Sequence, residues 1–107
     1  MALQVKAVSF EMVAAIRPLV NRIKRQDRSL ADQLVRAASS VALNIAEAEY
    51  SDPGNKRARF FTAAGSANET LAALRLAVAW GYCAAEEIEG AELAGKRVVR
   101  MLWGLRR

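Results

Sequence analysis

The chain has 107 residues, 53% of them hydrophobic, with 22 alanines against two prolines and six glycines, a size and balance that fit one helix-forming domain and exclude disorder of the whole chain. The formal net charge is +5 and the pI about 10.0, which favours anionic partners, nucleic acid first, although solubility alone would also account for it. Histidine is absent and Cys83 is the one cysteine, which rules out an internal disulfide, thiolate zinc sites and histidine-based acid–base chemistry.

Four periodic stretches follow, separated by three breaks. In the first, about 8–24, Phe10, Val13, Ile16, Val20 and Ile23 recur at helical spacing. Pro18 interrupts it, so a bend near 14–17 or two shorter helices is expected. The polar stretch 25–28 reads as the first break. Ser29 and Asp32 then have capping-box spacing and open a second helix, with Leu30, Leu34, Ala37, Val41, Ala42, Ile45 and Ala48 as its apolar stripe, ending near Glu49.

The second break is 50–54. Asp52 suits an N-cap and Pro53 the first helical position. The third helix should run to Trp80 and stop at Gly81, with Phe60, Ala64, Ala67, Leu71, Leu74 and Val78 as a bundle seam. Ala63, Gly65 and Ala72 are small enough to let a neighbouring helix approach. The fourth helix should begin at about 84–86, with Ile88, Ala91, Val98, Leu102 and Leu105 buried. Its acids lie in the first half and its bases in the second, as the helix dipole prefers. Short connections make sequential helices antiparallel neighbours, so the expected fold is all-α, an up-down-up-down four-helix bundle forming a single domain over residues 1–107.

Catalytic patterns are missing. There is no glycine-rich phosphate loop and no nucleophile elbow, and Cys83 has no histidine to activate it. No enzymatic activity, cofactor or metal is expected. No secretory signal pattern opens the chain, and the longest apolar run, 76–85, is too short to cross a bilayer, so a soluble cytoplasmic protein is the expectation.

Two constellations stand out. Arg36, Ser40, Asn44 and Glu47 share a face of the second helix, and the third offers Ser66 and Glu69. These six are expected to form a structural polar network, because a buried polar group left unpaired costs about 1–3 kcal/mol. The second constellation is basic. Segment 1–28 holds six basic and two acidic residues, and Arg17, Lys24 and Arg28 form a line there with Asn21 between them. Lys96, Arg100 and Arg107 form another, around Trp103. An aromatic inside a basic line can stack on an exposed base or anchor a protein interface. All seven residues are nucleic-acid-binding candidates, with the first line favoured for its larger net charge.

The segments Gln33-Leu34-Val35-Arg36-Ala37-Ala38-Ser39-Ser40-Val41 and Asn44-Ile45-Ala46-Glu47, with Ala64-Gly65-Ser66, Glu69, Gly81-Tyr82, Arg100-Met101-Leu102 and Gly104-Leu105, resemble the bacterial four-helix bundle proteins named for intervening sequences in 23S ribosomal RNA genes. The resemblance runs over about 29–105. Ala48 stands where the pattern usually has glycine, and Val35 replaces a basic residue that often precedes Arg36. The resemblance implies an antiparallel bundle assembled as a ring-like homopentamer. It is similar also to the accessory proteins of diversity-generating retroelements, basic pentamers that bind a reverse transcriptase and nucleic acid. The expected function is therefore a non-enzymatic oligomeric module that binds RNA, DNA or a nucleic-acid enzyme. The alternative is a protein-only scaffold.

Overall fold

Why these residues make four helices is visible at each end. A computed structural model describes residues 2–105, so Arg107 of the second basic line lies outside the described residues. Helix α1 spans Ala2–Gln26, α2 Arg28–Ala48, α3 Pro53–Ala79 and α4 Glu89–Leu105, the last preceded by a 3-10 turn, Ala85–Ile88. No strand occurs among the described residues.

Helix α1 runs unbroken through Pro18, so of the two expected outcomes, a bend or two shorter helices, the second does not occur. Proline cannot donate to the Ala14 carbonyl, but Pro18 and Ala14 are both exposed, so water can satisfy the carbonyl that proline leaves free. The buried stripe is Val5, Val8, Met12, Ile16, Leu19 and Ile23; Phe10, expected in it, points outward.

The break after α1 is a single residue. Asp27 is extended, and its Oδ1 accepts the Leu30 N–H at 3.0 Å, so Asp27 and not Ser29 caps α2. Its other oxygen accepts the Tyr82 hydroxyl at 3.1 Å. At the next corner Asp52 caps α3 by accepting the Asn55 N–H at 3.0 Å, its other oxygen accepts the Asn55 side-chain amide at 2.6 Å, and these bonds hold its carboxyl below the usual carboxylate range. Helix α3 ends where Gly81 takes φ +81°. The Tyr82 N–H then reaches the Ala77 carbonyl at 2.8 Å and the Gly81 N–H reaches Val78 at 2.9 Å, the pairing of a Schellman stop. The Glu87 carboxylate accepts the Ala84 N–H at 2.7 Å and also pairs with Arg22, tying the start of the last helical segment to α1.

Each helix packs on two neighbours, in the order α1–α2–α3–α4 and back to α1. The core runs the length of a 42 × 22 × 18 Å particle. Every apolar position expected for α2 is buried. In α3 the seam shifts toward alanine: Phe60, Ala63, Ala64, Ala67, Ala73, Leu74 and Ala77 are buried, while Gly65 and Ala72 face out. At Gly95 the Leu71 side chain fills the space a side chain would take, its Cδ2 lying 2.8 Å from where a Cβ would stand.

Candidate functional site

Three surfaces carry the residues singled out in the sequence. The first lies between α2 and α3. The Ser40 and Ser66 hydroxyls meet at 2.9 Å, and the Asn44 amide donates to the Ser40 carbonyl and hydroxyl at 2.9 and 3.1 Å. Arg59 donates to Asn44 Oδ1 at 3.3 Å and pairs with Glu47 at 2.8 Å. Ser40, Asn44, Glu47 and Ser66 are thus joined, with Arg59 as a link the sequence reading missed. Antiparallel running could have found it: once Ser40 opposes Ser66, position 59 stands across from 47. Arg36 and Glu69 are exposed and make no hydrogen bond or ion pair with described residues, so they stand outside this network. Their outward positions leave both charges in water, where no internal partner is required. The Arg59–Glu47 pair is half-exposed and contributes little by itself, about 0–1 kcal/mol.

The second surface is the groove between α1 and α2. Arg17, Asn21 and Lys24 line its α1 side. Arg28 opens α2 rather than closing α1, so the first basic line spans two helices. Arg28 and Arg36 stand together on the α2 side with Asp32. None of these four cations has an acidic partner among the described residues; the ion pairs there use Lys6, Arg22, Arg59 and Arg75. Beneath the rim is a depression of about 320 Å³ with Val13, Ile16, Val20, Val35 and Ala38 in its walls.

The third surface lies on the opposite side of the bundle, between α3 and α4. Trp103 and Phe61, 49% and 64% exposed, line one shallow depression with Ala64, Gly65 and Asn68. Arg57 lies one helical turn before Phe61 and Arg100 one turn before Trp103; with Lys96 and Arg97 they are exposed and have no acidic partner among the described residues. The two basic lines therefore do not merge into one patch. Phe61 escaped the sequence reading, which attended to its buried neighbour Phe60. Its place one turn beyond Arg57 and off the seam was the available signal.

No group of three or more His, Cys, Asp or Glu among the described residues is placed to hold a metal ion. Cys83 is buried, and burial pushes its thiol up despite the opposing pull of Arg22, which disfavours the thiolate form. No described helix is long and apolar enough to cross a membrane.

Among solved structures, the chain is similar to a protein of unknown function from the S23 ribosomal protein family of Bacteroides thetaiotaomicron VPI-5482, with TM-score 0.88 and 24% identity over 96% of this chain and 98% of that one. At that identity the likeness is one of fold. Comparison with curated proteins finds no match. The model of the family described as 23S rRNA-intervening sequence protein matches residues 1–104, and the chain belongs to that family.

Proposed function

We propose that this protein is a non-enzymatic, homo-oligomeric module that binds single-stranded nucleic acid, RNA first, across the α3–α4 surface. The observation that carries the reading is the pair Phe61 and Trp103, exposed in one depression and flanked on their own helices by arginines that have no acidic partner among the described residues. Every base has a π-face that stacks on such rings, and flanking cations follow the phosphates. The cations of the α1–α2 rim add to the positive field that draws a polyanion to the protein. Assembly as a ring, the pentamer implied by the family resemblance, would repeat each basic line around the oligomer and raise avidity without a new kind of contact.

The test is a titration of short single-stranded RNA against wild type, Phe61→Ala and Trp103→Ala, with helicity and oligomer mass checked for each. Loss of one stacked base should cost about 1–3 kcal/mol in affinity. Light scattering should give a mass well above 11.7 kDa. Absence of RNA binding at low salt, or binding indifferent to both substitutions, would favour the protein-only scaffold instead.

A further inference from the structure

We infer that the groove between α1 and α2 is a docking site for an acidic amphipathic helix of a partner protein, separate from the nucleic-acid surface. The floor decides the chemistry. Val13 and Val20 are half-buried, Ile16 is buried, and Val35, 43% exposed, stands on the opposite wall. No aromatic side chain lines this groove or its continuation toward Lys24 and Arg36. Bases laid here would find no ring to stack on, and a sugar-phosphate chain would set polar atoms against aliphatic carbon. Leucine-like side chains of a helix would bury that carbon instead.

The rim supplies the sign. Arg17 and Lys24 stand on one side, Arg28 and Arg36 on the other, against the single carboxylate of Asp32, and all four cations are free of acidic partners among the described residues. A second copy of this chain, net positive itself, complements such a rim less well than an acidic partner does. The spacing constrains the partner. Arg17 and Lys24 are seven residues apart on α1, or about 10 Å along the axis. A docked helix with carboxylates at i and i+7 flanking an apolar i, i+3, i+4, i+7 stripe matches both features.

Val35, 43% exposed, makes its wall of the groove aliphatic and leaves the charge to the rim.

The test uses the full chain and a small panel of synthetic amphipathic helices of 18 residues, with leucines on the stripe and glutamate flanks, each paired with a version in which lysine replaces glutamate. Fluorescence anisotropy reads binding, and light scattering reads oligomer mass. The glutamate peptides should bind saturably and the lysine peptides should not. Val35→Asp, at an exposed position, should weaken the glutamate peptides by about tenfold or more while leaving helicity and oligomer mass unchanged. Charge reversal of Arg17 and Lys24 together should exchange the preference between the two peptide sets. Failure of every glutamate peptide to bind, or indifference to Val35→Asp, overturns the proposal. So does dissociation of the oligomer by Val35→Asp, which would give the groove to a second copy, and so does loss of RNA binding in that variant, which would give it to RNA. Because the RNA titration reads Phe61 and Trp103 on the opposite face, failure there leaves this result interpretable.

Discussion

The Asp27 carboxylate caps α2 with one oxygen, through the Leu30 N–H at 3.0 Å, and receives the Tyr82 hydroxyl with the other at 3.1 Å. One side chain thereby starts a helix and ties the α1–α2 corner to the α3–α4 corner at the same end of the bundle. Asp27→Ala should lose about 0.5–2 kcal/mol from the cap. Tyr82→Phe should lose less, and in the Asp27→Ala background it should lose almost nothing further, because the shared bond is already gone. A double-mutant cycle by urea denaturation measures the coupling; additive losses would show that the bond is not made.

The same contact has a pH signature. Burial first, and the Asp27 bond second, hold the Tyr82 phenol above its ordinary value of 10.0. The neutral phenol is favoured in the folded state, so its contribution is complete below about pH 10 and falls as pH rises above the unfolded value. A spectrophotometric titration should show Tyr82 ionising above the ordinary phenol value of 10.0.

Glycine substitutions should separate by their surroundings. Gly65 and Gly90 have open space where a Cβ would go, so alanine at either should stabilise the isolated protomer by about 0.5–1 kcal/mol. At Gly95 an added Cβ meets Leu71 Cδ2 at 2.8 Å, with Met12 Sδ at 3.6 Å behind it. Gly95→Leu should therefore destabilise by about 1–3 kcal/mol, read as a lowered denaturation midpoint.

Cys83 should label slowly. The thiol is buried at the α3–α4 corner and held above its ordinary value of 9.0, so little thiolate forms near neutral pH. Reaction with a thiol reagent at pH 8 should be slow in the folded protein and fast in denaturant; equal rates would place the thiol in solvent.

Nucleic-acid affinity should fall as salt rises, by about 0.7 log units per log unit of salt for each phosphate neutralised on a single strand. Lys96→Ala and Arg100→Ala should each reduce that slope by about one such step, since both are exposed and unpaired among the described residues. An unchanged slope in both variants would remove α4 from the interface.

The sequence alone determined the number of helices, the α2 stripe and the corners at Asp52 and Gly81, because periodicity, capping and positive φ are local properties of a chain. It misplaced the first corner: Ser29 and Asp32 have capping-box spacing, but Asp27 comes two residues earlier and gains Tyr82 as a partner from 55 positions away. It read Phe10 as core because Phe10 shares a spacing with Val13 and Ile16; the narrower stripe through Val8 and Met12 is selected only when α2 and α4 close on α1. Tertiary packing also decided that Arg59 would complete the polar chain, that Arg36 and Glu69 would stay in water, and that the two basic lines would sit on opposite sides of the bundle. Those outcomes depend on which helix faces which, and that order is set by burying apolar area between helices, a quantity no single helix carries in its own spacing.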